Sequence, residues 1–362
     1  MRRREFIHQL GAFAAAGIAG GSLRAFPGAS RRREFRAWTW FHANNTTSSA
    51  AWRARFARLR DTGITGLLVA DGNAERIAAA AKAEGLEFHR WIFTMYRSTD
   101  RSAKRNHPEW FAVSREGRSS LTHPPYVPSY NWFCPNREGV REYLRETVDR
   151  IATIPGVDGV HLDYIRFIDV ILPRGLWSRY GLVQTQEMPQ FDFCYCDVCR
   201  EKFRQQSGID PIKLEDAPSN EAWREFRWAS IAEVVTLLSQ TVHARKKQLS
   251  AAVFATPSLA RMCVRQAWEK WPLDQVFPML YHNFYLENVE WIGRAAREGV
   301  QALPASVPLY AGLFVPRLDP SQLRTAISLT RDAGAAGVAL FSLPRLTTAH
   351  LAVLKSVSAD ER

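Results

Sequence analysis

Strand-like and helix-like segments alternate along this chain with a regularity that few folds can accommodate. Eight segments rich in β-branched and aromatic residues are predicted to be strands, and amphipathic stretches separate them. Eight β/α units within 362 residues predict an α/β fold, a (β/α)8 TIM barrel. The predicted strands are Phe35–Ala43, Ile64–Asp71, Leu86–Tyr96, Val157–Phe167, Leu249–Pro257, Gln275–Tyr281, Pro308–Val315 and Ala336–Leu343.

The stretches between these strands include both helices and long loops. Loops of more than about 15 residues in a compact domain are usually functional or form an added subdomain. The two long loops, Arg97–Asn136 and Ile168–Arg200, follow the third and fourth strands, so we expect them to wall a cleft at the catalytic face of the barrel. The amphipathic period predicts helices at Ala50–Asp61, Ala74–Glu84, Arg137–Ile154, Leu286–Glu298 and Pro320–Ala333.

The N-terminus has the character of an export signal. Arg3-Arg4-Glu5-Phe6-Ile7 is a twin-arginine pattern, and the weakly apolar Leu10–Gly21 follows it. This combination predicts a Tat-type signal peptide over residues 1–30 and a periplasmic or secreted protein. Residues 31–362 are then a single TIM-barrel catalytic domain, with no second domain and no apolar run of membrane-spanning length.

The net charge of +12 does not by itself identify a partner. Basic residues are spread along the chain, and neither a nucleic-acid-binding motif nor a Lys/Arg-dense tail occurs. A solvated basic face accounts for such a distribution, so nucleic acid is not expected as a partner. The sequence leaves the oligomeric state open.

The fourth predicted strand carries an acid in an unusual place. Along Val157–Phe167, strand alternation sends His161 and Asp163 to one face and Leu162 and Tyr164 to the other. A buried central strand rarely carries an unpaired ionisable group, because burying its charge is costly. Asp163 stands at the carboxyl end of this strand, where parallel α/β folds keep their chemistry. It is therefore the first catalytic candidate.

Cysteines form the second distinctive pattern. Three thiols fall within six residues, at Cys194, Cys196 and Cys199, and Cys134 lies in the other long loop. Together they predict a zinc site, which four thiolates would close, so that it is structural rather than catalytic. The alternative is a disulfide, either Cys194–Cys199 or one that uses Cys134, in an oxidising periplasm. Zinc is favoured because folding in the cytoplasm supplies metal and reduced thiols. Cys263 is predicted to be a buried small residue on a helix.

The ends of the predicted strands form an aromatic cleft. The chain has 12 tryptophans, several of which fall at or near this mouth. A single tryptophan is more often a core residue, but aromatic faces clustered at one end of a barrel suit the apolar faces of sugar rings. The residues predicted to bind such a substrate are Trp40, His42, Trp91, Tyr96, Tyr164, Arg166, Tyr281 and His282.

Four segments of the chain resemble a known group. Asn106–Trp110, Cys134–Arg141, Val157–Phe167 and Pro278–Tyr281 are similar to glycosyl hydrolase-like family ten, and the resemblance covers most of the mature chain. Its most specific part is Asp-Gly-Val-His-Leu-Asp-Tyr-Ile-Arg. The resemblance implies a TIM barrel and a glycosidase.

The thiol arrangement separately resembles the zinc cluster of family forty-two β-galactosidases, in which one earlier cysteine joins a Cys-x-Cys-x-x-Cys run. Those enzymes place catalytic glutamates after strands four and seven. Here the fourth strand ends in Asp163, and the seventh, near Gly312-Leu313-Phe314, offers no glutamate. Their catalytic pair therefore does not transfer to this chain.

Glycoside cleavage ordinarily requires two carboxyl groups. Asp163 is the first; Arg166 could hold it ionised as a nucleophile or charge stabiliser, or could form a purely structural ion pair with it. Asp71, which closes the second strand, is the preferred second carboxyl, and Glu287, after the sixth strand, is the next. His42, His161 and His282 are candidates for proton shuttles or for partners of sugar hydroxyls, although a lone inward histidine such as His161 is more often a satisfied core residue. Other acids in the long loops are Glu109, Asp169 and Glu187.

The sequence therefore predicts an exported glycoside hydrolase that acts on a poly- or oligosaccharide by carboxylate acid/base catalysis. The alternative is a carbohydrate-binding barrel that has lost hydrolysis, which the uncertain second carboxyl permits. A metal-dependent hydrolase ranks last, because no His-x-His set of ligands stands at the strand ends.

Overall fold

The computed structural model describes residues 34–359 and contains a closed barrel of eight parallel strands. Each strand pairs with the next in the chain, and the eighth pairs with the first. The predicted TIM barrel is confirmed, and each of the eight predicted strands is present. Their bounds are β1 Arg36–His42, β2 Ile64–Ala70, β3 Glu87–Phe93, β4 Gly159–Asp163, β5 Gln248–Phe254, β6 Gln275–Met279, β7 Tyr310–Phe314 and β8 Gly337–Phe341.

Helices surround the barrel, and those predicted are observed close to their expected bounds. Side-chain caps fix several starts: Asn73 accepts from the third residue of α2, and Asp319 and Gln322 form a reciprocal capping box at α10. The helices are α1 Ser49–Asp61, α2 Ala74–Ala83, α3 Arg101–Asn106, α4 Glu138–Ala152, α5 Trp177–Tyr180, α6 Asp197–Ser207, α7 Glu221–Ala244, α8 Pro257–Val264, α9 Val289–Ala302, α10 Pro320–Asp332 and α11 Thr348–Ala359.

The two long loops pack on each other above the strand ends. Ser114 and Phe193 form a β-bridge between them, and the Tyr195 backbone N–H donates to the carbonyl of Val113 at 2.8 Å. These contacts make the two loops one added layer on the carboxyl-terminal face of the barrel, where they wall the cleft.

The fourth strand is shorter than the sequence predicts. It ends at Asp163, because Tyr164 adopts a left-handed backbone conformation with φ of 53°. The alternation of side chains between the two faces of the strand therefore stops at Tyr164. The ring of Tyr164 lies at the mouth of the barrel, where it contacts Phe93 and Tyr96. This reversal brings Tyr164 to the same cavity as Asp163, although strand parity would send them apart.

A chain of hydrogen bonds runs through the barrel interior. Trp40 Nε1 donates to His161 Nε2 at 3.0 Å, so His161 carries its proton on Nδ1 and donates to Ser250 Oγ at 2.9 Å. The Ser250 hydroxyl in turn donates to His89 Nδ1 at 2.8 Å. His89 therefore carries its proton on Nε2 and donates it to Glu87 Oε1 at 2.9 Å. Burial lowers the pKa of His161 well below its usual value. His161 is thus a neutral, satisfied core residue.

Two glycines make room for the large rings of this interior. A Cβ on Gly66 would lie 2.3 Å from the indole of Trp38, and one on Gly159 would lie 2.7 Å from the imidazole of His89. The strands therefore need glycine at these two positions to enclose rings of this size.

The predicted signal peptide, residues 1–30, lies outside the described residues. Within residues 34–359, no helix combines the length and the apolar character needed to cross a membrane.

Candidate active site

A cavity of about 380 Å³ opens at the carboxyl ends of the barrel strands. Its walls are mainly aromatic, and the charged or titratable side chains that reach it are few. The aromatic residues include Trp91, Tyr164, Tyr281, Phe284, Phe314 and Phe341. The charged side chains and the histidine of the lining are His42, Asp163, Arg166, Asp169 and Arg179, and tyrosines of the loops add hydroxyl groups. Such a cavity, apolar with a few convergent polar groups, is the usual form of a small-molecule site.

Asp163 is the acid at the floor of this cavity. Its Oδ1 accepts from the Tyr164 backbone N–H at 2.7 Å, and its Oδ2 accepts from Trp91 Nε1 at 3.1 Å. Burial raises the pKa of Asp163 to about 6, and the two hydrogen bonds, which favour the charged form, only partly oppose that rise. A carboxyl group with this pKa can hold or release a proton near neutral pH, as a general acid must.

Arg166 forms its ion pair with Asp169 and not with Asp163. Arg166 Nη1 lies 2.9 Å from Asp169 Oδ2, and Nη2 donates to the Tyr130 hydroxyl at 3.2 Å. The Tyr130 hydroxyl donates to the same oxygen of Asp169. Within residues 34–359 no ion pair joins Arg166 to Asp163, so the structural ion pair that the sequence left open is wrong. The positive charge of Arg166 only opposes the rise in the pKa of Asp163 from a distance.

His42 and Asp71 form a second group beside the acid. His42 Nδ1 lies 2.7 Å from Asp71 Oδ2, and the imidazole ring, which lines the cavity, lies 4.8 Å from the Trp91 ring between centroids. Asp71 itself is exposed and stands behind His42, outside the cavity lining. Asp71 therefore does not face the cavity itself and is linked to it by its hydrogen bond with His42.

The other predicted substrate residues lie at different depths. Tyr281 lines the wall, and burial and the charge of Asp163 raise the pKa of its hydroxyl well above its usual value. Trp40 lies below the floor, where it donates to His161, and does not line the cavity. Tyr96 packs behind Tyr164, with 4.9 Å between ring centroids, and is also outside the lining.

Glu287 and His282 stand apart from this cavity. Glu287 contacts Arg294 at 3.3 Å, and both Glu287 and His282 border a separate surface depression beside α9 and α10. Leu286, just before Glu287, has a left-handed backbone conformation with φ of 59°. The structure therefore does not bring Glu287 together with Asp163.

Several cavity residues come from the two long loops and had only a weak signal in the sequence. The richness of the loops in aromatic residues indicated a role without identifying which side chains reach the site. The loop residues that line the cavity include Tyr126, Tyr130, Asp169, Arg179 and Tyr180.

The four predicted zinc ligands form a buried cluster. The sulfurs of Cys134, Cys194, Cys196 and Cys199 lie within 4.8 Å of one another, and all four residues are free thiols. The Sγ atom of Cys134 lies 3.4 Å from that of Cys199 and 3.6 Å from that of Cys196. A tetrahedral zinc with bonds of about 2.3 Å places its sulfurs about 3.8 Å apart, close to these spacings.

The surroundings of the thiols also fit a metal. The Val113 backbone N–H donates to Cys194 Sγ at 3.3 Å, and Asn136 Nδ2 donates to Cys199 Sγ at 3.3 Å. Such N–H donors stabilise thiolate ligands. The four cysteines can therefore hold a metal ion. Cys263 is buried on α8 outside this cluster, as predicted.

No family model matches this chain, and no curated protein matches it. Solved structures do match. The glycoside hydrolase domain of PgaB (BpsB) from Bordetella bronchiseptica has a TM-score of 0.64 at 11% identity and covers 90% of this chain and 98% of its own. The α-L-fucosidase isoenzyme 2 from Paenibacillus thiaminolyticus has a TM-score of 0.59 at 15% identity, over 90% of this chain and 49% of its own. The catalytic domain of β-amylase from Paenibacillus polymyxa has a TM-score of 0.59 at 11% identity, over 91% and 99%. At such identities the likeness to these glycoside hydrolases shows a common TIM-barrel fold and nothing finer.

Proposed function

We propose that this protein is a glycoside hydrolase that cleaves a glycosidic bond in a poly- or oligosaccharide, with Asp163 as the proton donor. One observation carries the proposal: a carboxyl group with a pKa of about 6 stands at the floor of an aromatic cavity. A proton held on Asp163 at mildly acidic pH is available to the leaving oxygen of the bond that breaks.

The cavity walls support a sugar as the ligand. Phe93, Phe314 and Phe341 line the cavity and are only half-buried, so their rings offer surface on which the CH faces of a pyranose can stack. The fold neighbours also support a carbohydrate as the ligand, because each of the three is a glycoside hydrolase. We also propose membership of glycosyl hydrolase-like family ten, on the strength of the Val157–Phe167 segment.

Asp71 is the second carboxyl group in this proposal. Asp71 contacts His42, which lines the cavity, whereas Glu287 borders a different depression. Asp169 lines the cavity, but Arg166 and Tyr130 already engage its Oδ2. The other two candidate acids of the long loops also have partners: Glu187 pairs with Arg265, and Glu109 lies 3.4 Å from His107 Nδ1.

A second function is a carbohydrate-binding barrel without hydrolysis. The engagement of Asp169 favours it, because within residues 34–359 Asp163 is then the single cavity-lining carboxyl group without a cationic partner. A binder would retain the aromatic walls and have no use for a proton donor.

We propose that the cluster of Cys134, Cys194, Cys196 and Cys199 holds a structural zinc ion. Four thiolates would leave no open coordination position, so the ion would supply no chemistry to the substrate. Its proposed role is to join the two long loops, one of which supplies Tyr130 and the other Arg179 to the cavity wall.

Export is a further part of the proposal. The Arg3-Arg4 pair and the apolar stretch after it support a Tat-type signal over residues 1–30 and a periplasmic or secreted location. Changing both arginines to lysine in the producing cell should keep the protein in the cytoplasm, as cell fractionation would measure. Unchanged export of that variant would refute the Tat assignment.

The functional proposal is tested with the purified protein and a panel of plant, bacterial and fungal polysaccharides. We expect new reducing ends from at least one of them, together with binding of that glycan by calorimetry. Binding of a glycan with no release of reducing ends from any member of the panel would support the carbohydrate-binding barrel instead.

A further inference from the structure

We infer that His42 is the base that activates the attacking water, that Asp71 positions it, and that the reaction inverts the anomeric carbon. This inference rests on the proposed function and assigns the group that acts opposite Asp163. It makes His42 a catalytic residue and Asp71 a positioning residue. The sequence suggested His42 as a proton shuttle or a sugar contact, and Asp71 as a carboxyl group that acts directly.

The hydrogen bond between His42 and Asp71 fixes the tautomer of the ring. An ionised carboxylate only accepts, so the 2.7 Å contact with Asp71 Oδ2 places the proton of His42 on Nδ1. The other nitrogen, Nε2, then carries a lone pair, and it has no hydrogen-bond partner among residues 34–359. A carboxylate behind an imidazole also stabilises the imidazolium that forms when Nε2 takes a proton.

The barrel separates this base from the acid. His42 ends β1 and Asp163 ends β4, so β2 and β3 lie between them around the closed barrel. Both side chains line one cavity, and the Trp91 indole lies between them, near the His42 ring and bonded to Asp163. Inverting glycosidases place their acid and base on opposite sides of the sugar, with room for a water between base and anomeric carbon.

The other polar groups of the cavity are poor bases. Asp169 is held by Arg166 in a buried ion pair, and the Tyr130 hydroxyl donates to it. The hydroxyls of Tyr281 and Tyr130 keep their protons, because burial raises both pKa values well above the ordinary one. His42 is the cavity-lining group in residues 34–359 with both a free acceptor and a carboxylate behind it.

The backbone around Asp71 holds the carboxylate in place. Asp71 has φ of 58°, unusual for a residue with a side chain, and the Arg90 guanidinium donates to its carbonyl oxygen. Asp71 directly follows β2, which pairs with β1 through the contact of Ala70 with His42. Asp71 and His42 are therefore held by neighbouring strands of the barrel.

The proposed step balances with water alone. The water oxygen attacks the anomeric carbon from the His42 side while its proton passes to His42 Nε2. The bond from the anomeric carbon to the glycosidic oxygen breaks, its electron pair stays on that oxygen, and the Asp163 carboxyl gives it a proton. His42 then loses its extra proton to solvent and Asp163 regains one, so both return to their starting states.

Two substitutions test the roles separately. His42→Gln should lower kcat by about 100-fold or more with KM changed by less than about threefold, since general-base catalysis contributes about that much. His42→Gly should recover part of its lost kcat when imidazole is added. Asp71→Asn should lower kcat in the same direction, because an amide can accept or donate and no longer fixes the tautomer. Unchanged kcat in His42→Gln would overturn the inference.

The chain provides a matched control. His243 Nε2 contacts Asp274 Oδ2 at 2.8 Å, and this second His–Asp pair lies where α7 ends and β6 begins, away from the cavity. His243→Gln removes a pair of the same chemistry and should leave kcat and KM unchanged. Circular dichroism of all variants checks that they are folded.

The anomeric form of the first product decides the inference. We propose following hydrolysis of the active glycan by the unmodified enzyme with proton NMR, before mutarotation. Release of the anomer opposite to the substrate linkage supports water activation by His42. Release of the same anomer would overturn it and leave the glycosidase proposal standing, whereas no product from any glycan would overturn the glycosidase proposal itself.

Discussion

The indole Nε1 of Trp91 donates a 3.1 Å hydrogen bond to Oδ2 of Asp163 and thereby ties the acid of the site to its aromatic wall. The two residues belong to adjacent strands, β3 and β4, whose pairing sets their register. The bond favours the charged carboxylate, so it counteracts part of the rise in pKa that burial causes. Trp91 therefore contributes to the proton affinity of Asp163 as well as to the wall of the cavity.

Trp91→Phe should shift the pH dependence of hydrolysis. Without the indole N–H the pKa of Asp163 rises above about 6, because burial remains and one stabilising hydrogen bond is lost. We expect the alkaline limb of the kcat/KM profile to move up by about one pH unit, since a hydrogen bond to a charged group contributes about 1.5 kcal/mol or more.

Trp52→Phe is the matched control for that measurement. The Trp52 indole is buried on α1, and its Nε1 has no hydrogen-bond partner. Its replacement should leave the alkaline limb in place. An alkaline limb that stays fixed in Trp91→Phe would count against Asp163 as the titrating group.

Asp163→Asn should stabilise the fold at neutral pH. The folded pKa of about 6 lies above the ordinary 3.8, so the folded state binds the proton more tightly than the unfolded state does. The stability that this proton provides is fully present below about pH 4 and is lost as the pH rises through 6. We expect the variant and the unmodified protein to have the same free energy of unfolding at pH 4. At pH 7 the variant should be more stable by up to about 3 kcal/mol.

Urea unfolding at several pH values measures this difference. If the difference in free energy of unfolding between the variant and the unmodified protein is the same at pH 4 and pH 7, Asp163 has the same pKa in the folded and unfolded states, which would contradict this prediction.

Much of the barrel and part of the site could be predicted from the sequence. The strands were predicted from alternation, and Asp163 from its position at a strand end, because both depend on the local sequence. The depth of a side chain along the barrel axis does not depend on the local sequence alone. Trp40 and His42 face the same interior, yet Trp40 lies below the floor and His42 lines the cavity, since they occupy successive layers along the barrel axis.

The loop contacts were beyond sequence reasoning. Arg166 could as well have paired with Asp163, three residues before it, as with Asp169, three residues after it. The choice follows from the turn at Tyr164, whose left-handed backbone ends the strand. Likewise, Glu287 follows a left-handed residue, Leu286, and borders a different depression. Short-range spacing predicts neither event.

Ser250→Ala should destabilise the barrel. The hydroxyl of Ser250 joins His161 and His89 in the interior, and its removal leaves two buried imidazole nitrogens without a partner. We expect a loss of about 1 to 3 kcal/mol in the free energy of unfolding, measured with urea. Ser49→Ala, at the exposed start of α1, should change it by less than about 0.5 kcal/mol. An equal effect of the two substitutions would show that the interior chain adds no net stability.

The cysteine cluster should contain zinc in the purified protein. We expect about one zinc ion per chain by elemental analysis, and titration of all five cysteines as free thiols after denaturation with a chelator. Cys199→Ser should lose the metal and melt at a lower temperature. Cys263→Ser, which alters a buried cysteine outside the cluster, should retain it. A disulfide between any two of the four cluster cysteines would contradict the zinc assignment.

The most direct test of the central claim is the activity of Asp163→Asn on a glycan that the unmodified protein cleaves. Asp158→Asn is the control, because Asp158 directly precedes the same strand, at its other end from Asp163, where its carboxylate accepts from the Phe88 backbone N–H. We predict that Asp163→Asn loses turnover by at least about 100-fold and still binds the glycan with similar affinity, while Asp158→Asn retains both. Turnover by Asp163→Asn at the rate of the unmodified protein would contradict the role of Asp163 as proton donor.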